Sequence, residues 1–321
     1  MKKKAFVFGW SGHNNLGDEA FKKAFEYLWG DKVDFTFGSR VPPNINSFDI
    51  CFVGGGSFLD QEIPKLNEVE IPLGFIGIGL HSQIHLANVQ ALQKAKLVIT
   101  RGDAVPDFIK DKSYVASDLV FSRPFDQIDQ SNTTSKSKSI LVLGNEFLSP
   151  RRNGPLWKYT SFQWFLTEFS KVCDGWVEKG YAVNFYPMCT GDKFDDRYFA
   201  AHIASHMEKK VFVHFGSAIE SELIKHISES ELIVSMRFHG NIFSTVLGKP
   251  FIGINSHDKM KTYFKNINSN NYLDYYGFTS SAFNECIETN KIEPSRLSEY
   301  AKKEKIRWQY LSDIVAEVFA M

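Results

Sequence analysis

Short apolar runs alternate with segments whose apolar residues recur at helical spacing along most of the chain. In the first half these runs predict strands, at residues 4–9, 33–39, 48–56, 73–80 and 96–102. Helices are predicted between them, over residues 18–29 and 82–95. Because continuous apolar strands are buried on both faces, the pattern indicates a parallel sheet covered by helices.

A polar, Ser/Thr-rich stretch at residues 126–139 interrupts the alternation, which then restarts. The later strands are predicted at 139–145, 181–188, 210–215, 231–235 and 251–254, with helices at 161–180, 195–208, 217–230 and 240–248 and long charged helices over 294–320. We therefore predict an α/β fold of two Rossmann-like domains that face a central cleft. The predicted bounds are 1–127 for the N-terminal domain, 128–138 for the linker and 139–321 for the C-terminal domain with its C-terminal helices.

Length, composition and charge are consistent with two globular domains. The chain has 321 residues, of which 43% are hydrophobic and 23% are charged. The formal net charge is zero, so no overall field favours nucleic acid or an anionic membrane. An anion-binding site would have to be built locally from a few side chains.

The start of the chain and its cysteines indicate a cytoplasmic protein. The apolar run in MKKKAFVFGW stops at Gly9, which is typical of a first strand rather than a signal peptide. No apolar run is long enough to cross a bilayer. The four cysteines are scattered without a CxxC pair, so we expect reduced thiols and no zinc site. The charged C-terminal helices would allow docking at the inner face of the membrane, although a solvated helix face explains them more simply.

Two glycine-containing loops follow predicted strands, where ligands bind in open α/β sheets. The loop GWSGHNNLGDEA lacks a nucleotide-binding fingerprint. Its side chains and glycines could still contact a polar ligand at a helix N-terminus, and the alternative is that they form only a tight turn. The candidate ligand-binding residues are Asn14, Asn15, Gly17 and Asp18. The second loop is Gly54, Gly55, Gly56 and Ser57. Three successive glycines cost chain entropy, so they indicate that a ligand or another backbone comes close.

Other strand ends carry basic or titratable side chains. Arg101 lies at the end of the strand 96–102, where a lone Arg more often forms a surface ion pair than binds a ligand. His81 directly follows the strand 73–80 and could face the predicted cleft. Four more histidines lie on predicted helices or strands without evident partners: His202, His206, His214 and His226.

The segment SMRFHGNIFSTVLGKP holds Arg237 and His239 between a buried strand and a helix N-terminus. This position favours anions, and an Arg beside it can hold a phosphate or carboxylate with two hydrogen bonds. The alternative is that His239 caps the helix while Arg237 pairs with a surface acid. Lys259 follows the next strand, so a local positive pocket is one interpretation and a solvated turn is the other.

The ordered set of loops resembles the polysaccharide pyruvyl transferase family. The matching segments are GWSGHNNLGDEA, DICFVGGGSFLD, FIGIGL, VITRGD, ASDLVF and SMRFHGNIFSTVLGKPFIGI with HDKM after it. The resemblance implies two domains arranged as in GT-B glycosyltransferases. It also implies transfer of the enolpyruvyl unit of phosphoenolpyruvate onto a sugar, usually leaving a cyclic pyruvate ketal across two hydroxyls.

The resemblance also implies roles for individual residues. The family's Arg-x-His motif falls on Arg237, which would bind phosphoenolpyruvate, and His239, which would act as general acid. The family's N-domain arginine corresponds to Arg101, and a lysine after the next strand corresponds to Lys259. Two departures stand out: Phe238 occupies a position that is often Leu, and Ser256-His257-Asp258-Lys259 replaces a Tyr-Asp-Pro-Lys-like sequence.

We therefore expect a phosphoenolpyruvate-dependent, ketal-forming transferase of surface polysaccharide or exopolysaccharide biosynthesis that needs no metal or cofactor. Its partners would be phosphoenolpyruvate on the C-terminal domain and a sugar or lipid-linked oligosaccharide on the N-terminal domain, with no nucleic acid. Two alternatives remain open. One is a GT-B glycosyltransferase that uses a nucleotide-sugar, and the other is a catalytically silent glycan-binding relative.

Overall fold

The structure is a computed structural model that describes residues 2–56, 63–80, 86–102, 105–125, 138–148, 156–191, 194–255, 257–290 and 293–321. Internal contacts divide the chain into two compact units. The first unit comprises Met1–Gly12, Asp18–Pro124 and Lys302–Met321, and the second comprises His13–Gly17 and Phe125–Ala301. Of the predicted linker, only Lys138 lies within the described residues.

The first unit is built on a parallel sheet whose described strands follow the order β2-β1-β3-β4-β5-β6. The strands are β1 (Lys3–Phe8), β2 (Val33–Gly38), β3 (Ile50–Gly54), β4 (Leu73–Ile78), β5 (Leu97–Thr100) and β6 (Ser113–Val115), with helices α1 (Leu16–Trp29) and α2 (Leu86–Lys94). The strand β6 escaped prediction because it is a short, half-exposed edge strand without an apolar run. The order reverses between β1 and β3, which makes their carboxyl ends the topological switch point of this sheet.

The second unit has its own parallel sheet, with the order β12-β11-β10-β7-β8-β9. Its strands are β7 (Ser139–Leu143), β8 (Ala182–Phe185), β9 (Phe212–Val213), β10 (Leu232–Ser235), β11 (Phe251–Ile254) and β12 (Tyr272–Leu273). The helices are α3 (Leu156–Glu178), α4 (Asp196–His206), α5 (Glu220–Glu229), α6 (Phe238–Val246), α7 (Asp258–Asn266), α8 (Ser280–Thr289) and α9 (Pro294–Val318). This is the Rossmann strand order, so the predicted α/β class with two Rossmann-like domains is confirmed.

The switch point of the second sheet lies between β7 and β10. From β7 the chain continues to β8 and β9 in one direction along the sheet, and from β10 it continues to β11 and β12 in the other. Because parallel crossovers are right-handed, the two series of helices cover opposite faces of the sheet. The loops after β7 and β10 therefore diverge, and the resulting crevice is where such sheets bind ligands.

The last helix turns its end into the core of the first unit. Trp308 is fully buried and its indole Nε1 donates to the carbonyl of Asp118 at 3.1 Å. Glu304, 3% exposed, accepts a hydrogen bond from the Ser117 amide at 2.9 Å. The sequence interpretation grouped residues 294–320 with the second half because an amphipathic pattern does not say which core its apolar face enters.

None of the helices in the described chain combines the length and the apolar content that crossing a bilayer requires.

Replacement of Trp308 by Ala should lower the free energy of unfolding by about 3–5 kcal/mol, because it leaves a cavity and removes a buried hydrogen bond. Tyr310→Ala on the same helix is the matched control, since Tyr310 is 64% exposed; it should change stability by less than about 0.5 kcal/mol. Urea unfolding followed by circular dichroism measures both. Equal effects of the two variants would contradict the packing described for α9.

Candidate functional site

The turn between β10 and α6 places Arg237 at the carboxyl edge of the second sheet. Ser235 Oγ donates to the carbonyl of Arg237 at 2.8 Å, and its oxygen lies 3.3 Å from the Arg237 amide. Arg237 is the residue before the first turn of α6 and has extended backbone angles. A Cβ on Gly240 would lie 2.3 Å from Ser235 Oγ and 2.8 Å from Leu143 Cδ1. The close approach of α6 to the sheet therefore requires glycine at this position.

A buried carboxylate, Asp196, fixes the guanidinium of Arg237. Nε of Arg237 donates to Asp196 Oδ2 at 3.0 Å, and Nη2 donates to Oδ1. The side chain of Arg237 is 11% exposed and that of Asp196 is 1% exposed. A fork of two charge-assisted hydrogen bonds fixes the plane of the guanidinium as well as its position.

Backbone amides complete the shell of Asp196. Its Oδ2 accepts from the amides of Met188 at 3.1 Å and Cys189 at 2.9 Å, and its Oδ1 accepts from the amide of Glu146 at 3.1 Å. These bonds offset the cost of burying the charge. Asp196 thus connects the loop after β7, the loop after β8 and the Arg237 turn. The sequence offered one weak signal, a second Asp beside the Asp195 that caps α4.

His239 lies directly against the backbone of Gly17. A Cβ on Gly17 would lie 2.0 Å from Nδ1 of His239, so the imidazole occupies the space that any larger residue would need. The segment that presents Gly17 is held by an antiparallel bridge between Asn15 and Cys189. The amide of Leu16 also donates to the carbonyl of Met188 at 2.9 Å.

The two asparagines that were predicted as site residues, Asn14 and Asn15, stabilise the conformation of this segment. Asn14 has a φ of +50°, a left-handed conformation that asparagine tolerates better than most residues, and its carbonyl accepts from the Thr190 amide at 3.0 Å. Asn15 Oδ1 accepts from the Gly17 amide at 3.1 Å. The structure therefore brings Asn14, Asn15 and Gly17 to the same unit as the Arg-x-His motif.

Phe238 joins Lys259 to the Arg-x-His segment. Lys259 is an exposed residue in the first turn of α7, and its ammonium lies 5.5 Å from the centroid of the Phe238 ring. The Phe238 ring in turn meets the imidazole of His239 edge-on, with 5.4 Å between centroids. The aromatic residue at this position thus provides a cation–π contact that a leucine would not.

The edge residues around this turn are tied together by side-chain amides. Asn255, which follows β11, donates to the carbonyl of Met236 at 2.8 Å, and Asn145, which follows β7, donates to the same carbonyl at 3.3 Å. The strand ends of β7, β10 and β11 are therefore fixed relative to one another. Arg237, His239 and Lys259 all lie at this edge, which therefore carries two cationic side chains, one of them paired with Asp196.

In the first unit, Arg101 is part of a buried ion pair. Its Nη1 donates to Asp118 Oδ2 at 2.7 Å and its Nη2 donates to the carbonyl of Gly56 at 2.7 Å. The side chains of Arg101 and Asp118 are 8% and 0% exposed. Arg101 thus stabilises the glycine loop, in which Gly55 and Gly56 have φ of +73° and +76°.

The first glycine loop approaches the second at the β1–β3 switch point. A Cβ on Gly9 would lie 2.6 Å from the carbonyl oxygen of Gly54, so one backbone comes close to another. Asp18 and Gly54 line a cavity of about 20 Å³, which has room for roughly one water molecule. The predicted site residues Ser57 and His81 lie outside the described residues.

Two histidines that sequence reasoning left without partners pack against Tyr186, which directly follows β8. The centroids of His214 and His226 lie 4.7 and 5.0 Å from that of the Tyr186 ring. Burial raises the pKa of Tyr186 to about 12, and burial lowers the pKa of His226. This cluster packs beside the carboxyl end of β8, and only the tertiary structure brings it together.

Replacement of Asp196 by Asn should lower the free energy of unfolding by about 3 kcal/mol, because it removes the carboxylate charge that pairs with the buried guanidinium of Arg237. Asp195→Asn is the matched control. Asp195 caps α4 and pairs with the partly exposed Arg197, and Asn is an equally good cap, so the cost should be about 1 kcal/mol or less. Urea unfolding of both variants is the measurement, and a cost for Asp196→Asn no larger than the control's would contradict the role of the pair.

Comparison with known proteins identifies one family and one fold. The family model described as polysaccharide pyruvyl transferase matches residues 15–258, a range that includes Arg101, Arg237 and His239 and ends one residue before Lys259. No curated protein matches the chain.

Solved structures are similar in fold at low sequence identity. UDP-GlcNAc 2-epimerase from Neisseria meningitidis, bound to UDP-GlcNAc, is 12% identical with a TM-score of 0.56, and the match covers 100% of both chains. UDP-GlcNAc 2-epimerase from Methanocaldococcus jannaschii is 10% identical over 97% of this chain and 100% of that chain, with a TM-score of 0.55. The spinosyn rhamnosyltransferase SpnG, complexed with thymidine diphosphate, is 8% identical over 99% and 100%, with a TM-score of 0.53. These likenesses confirm the GT-B-like fold.

Proposed function

The chain belongs to the polysaccharide pyruvyl transferase family, and on that premise we propose that it transfers the enolpyruvyl unit of phosphoenolpyruvate to a sugar of a surface polysaccharide or its precursor. The product would be a pyruvate ketal across two sugar hydroxyls, with inorganic phosphate as the leaving group. The observation that supports this proposal most is the guanidinium of Arg237, held by buried Asp196 at the switch point of the second sheet beside His239 and Lys259.

The anionic groups of phosphoenolpyruvate suit this edge. Its phosphate and carboxylate are close together, so binding requires cationic donors that converge on a small volume. Arg237 stands at the N-terminus of α6, where helix amides and the helix dipole also favour an anion. Lys259 adds a mobile ammonium from the first turn of α7. In this proposal Arg237 binds the phosphoenolpyruvate and Lys259 assists in neutralising it.

His239 would move the protons of the reaction. It donates a proton to C3 of the enol phosphate while a sugar hydroxyl attacks C2, and the proton of that hydroxyl returns to His239, so a methyl group and a new C–O bond form. The C2–O bond to phosphate then breaks, the second hydroxyl attacks C2 to close the ketal, and its proton passes to the departing phosphate. A general acid and base of this kind contributes roughly 10²–10⁴-fold to rate. The balance is one phosphoenolpyruvate and one diol giving one ketal and one phosphate.

In this proposal the sugar acceptor binds at the glycine loops of the first unit. Arg101 would act there by holding Gly55 and Gly56 in their left-handed conformation. The reaction as written needs no metal or cofactor. The cysteines of the described chain are all buried and free, which supports a reducing compartment where phosphoenolpyruvate is available.

A nucleotide-sugar glycosyltransferase is the second candidate. Solved structures with this fold include the epimerase bound to UDP-GlcNAc and the rhamnosyltransferase complexed with thymidine diphosphate. In that case the Arg237 edge would hold a diphosphate rather than phosphoenolpyruvate. The two candidates differ in which anion stabilises the protein, so one experiment separates them.

Incubation with phosphoenolpyruvate and a panel of aryl glycosides should release phosphate and add a ketal, read by mass spectrometry. His239→Ala should lower kcat by roughly 10²–10⁴-fold while phosphoenolpyruvate still binds. Arg237→Ala should weaken phosphoenolpyruvate binding by about tenfold or more in calorimetry, because it removes charge-assisted hydrogen bonds.

Arg197→Ala is the matched control for Arg237→Ala, since Arg197 also pairs with an aspartate but at a more exposed position; it should bind and turn over normally. Thermal stabilisation by UDP- or GDP-sugars together with indifference to phosphoenolpyruvate would contradict the proposal. Normal turnover by His239→Ala would contradict the acid assignment alone.

Gly17→Ala should lower kcat while leaving the KM for phosphoenolpyruvate nearly unchanged. The added methyl group would meet the imidazole of His239 at 2.0 Å and force it from its position, and small displacements of a catalytic group cost on the order of 100-fold. Gly175→Ala is the control, because Gly175 is also helical and a Cβ there meets nothing within 4 Å. Steady-state kinetics on both variants is the measurement, and equal kcat values would argue against a catalytic His239 at this place.

A further inference from the structure

Three half-exposed aromatic side chains form a surface patch in the second unit. Trp157 and Trp164 of α3 are each 52% exposed, and Tyr276, which follows β12, is 48% exposed. Seven residues separate the two tryptophans, which puts them on one face of α3 about 10.5 Å apart along its axis. The rings of Trp157 and Tyr276 lie 5.6 Å apart at an interplanar angle of 54°. We call these three side chains the aromatic patch.

Trp164 and Tyr276 of the aromatic patch are held in position although they are exposed. Trp164 Nε1 donates to the carbonyl of Phe278 at 2.8 Å. Tyr275, next to Tyr276, is 3% exposed and packs 4.8 Å from the ring of Phe165. A ligand that stacks on such rings would immobilise few additional rotamers, so little binding energy would be lost to ordering.

The aromatic patch lies toward the same sheet edge as the candidate site. Because β7 and β8 are parallel, α3 must return the chain from the carboxyl edge to the amino edge, so its first turn with Trp157 lies toward the carboxyl edge. Tyr276 follows the carboxyl end of β12. Arg237 and Lys259 follow the neighbouring strands β10 and β11. A ligand chain on the patch could therefore extend toward the Arg237 edge within one unit.

The chemistry of the aromatic patch matches a saccharide. A sugar ring presents one face of C–H groups, which stacks on a flat aromatic ring, and a rim of hydroxyls, which needs polar neighbours. The patch offers indole and phenol rings, and the Lys158 ammonium lies 5.6 Å from the Trp157 ring. The exposed large aliphatic residues of the described chain are Ile219 and Ile306, which belong to other segments, so the patch presents flat rings with no exposed aliphatic side chain beside them.

We infer that the aromatic patch of Trp157, Trp164 and Tyr276 binds, by ring stacking, a saccharide segment of the acceptor glycan other than the sugar that reacts. The assignment of that glycan as the acceptor rests on the proposed function, whereas saccharide binding by the patch does not. The spacing of the two tryptophans suits an oligosaccharide of at least two sugar units rather than a monosaccharide. The patch would then select polymeric or lipid-linked acceptors over free sugars.

The test is a glycan array probed with the full-length protein and with the double variant Trp157→Ala/Trp164→Ala. We expect wild type to bind a subset of the oligosaccharides and the double variant to bind them at least about tenfold more weakly, the scale of an exposed tryptophan anchor. Trp157→Phe keeps a ring and should retain most of the binding. Tyr310→Ala removes an equally exposed aromatic residue of α9 and should bind as wild type does.

Thermal shift with phosphoenolpyruvate on the same proteins separates this inference from the proposed function. Stabilisation by phosphoenolpyruvate should be equal in wild type and in the double variant, which also shows that the variant is folded. If phosphoenolpyruvate stabilises neither protein, the proposed function is contradicted and the inference about the aromatic patch is unaffected. Equal glycan binding by wild type and double variant would overturn the inference that the patch binds a saccharide. A wild type that binds no glycan on the array would overturn it as well. Selective loss of binding to phosphatidylglycerol vesicles, with glycan binding unchanged, would assign the patch to a membrane and overturn it too.

Discussion

The buried pair of Asp196 and Arg237 is the interaction on which the candidate site depends. Five hydrogen bonds converge on the Asp196 carboxylate, two from Arg237 and three from the backbone amides of Met188, Cys189 and Glu146. A buried ion pair is costly unless its geometry and its remaining hydrogen bonds are satisfied, and here they are. One carboxylate therefore sets the conformation of the loops after β7 and β8 and the direction of the guanidinium. The site is ordered before any ligand arrives, which is the condition for electrostatic recognition of an anion.

Glycines determine the geometry of the site as much as charged residues do. Gly240 lets α6 approach the end of β10, and Gly17 leaves space for the imidazole of His239. In the first unit the close approach of Gly9 to the carbonyl of Gly54 explains one pair of glycines by backbone packing alone. Glycine thus has two roles in this chain: it leaves space for the imidazole of His239 in the second unit, and it allows two strand-end loops to meet in the first.

Aromatic residues also have different structural roles, depending on whether they are buried or exposed. The chain has 29 phenylalanines, and many of them, such as Phe52 and Phe165, fill the two cores. The ring of Phe238 contacts both the Lys259 ammonium and the imidazole of His239. An apolar residue thus packs against one charged and one titratable group. The half-exposed Trp157, Trp164 and Tyr276 are a third use: Trp164 donates a hydrogen bond to the Phe278 carbonyl and the rings of Trp157 and Tyr276 contact each other, while all three remain about half exposed.

The sequence by itself determined the fold class, because the period of apolar residues distinguishes buried parallel strands from amphipathic helices; the strand at Phe251–Ile254 was predicted with its observed bounds. It also singled out Arg237 and His239, since a strand end followed by a helix N-terminus is a local feature. Only the tertiary structure decided their partners. Asp196 is 41 residues from Arg237 and Gly17 is more than 200 residues from His239, and no periodicity encodes which distant loops meet. The same reason explains the short edge strands β6 and β12, the end of α9 in the first unit and the pairing of Arg101 with Asp118. Each is fixed by contacts between elements rather than by the residues within one.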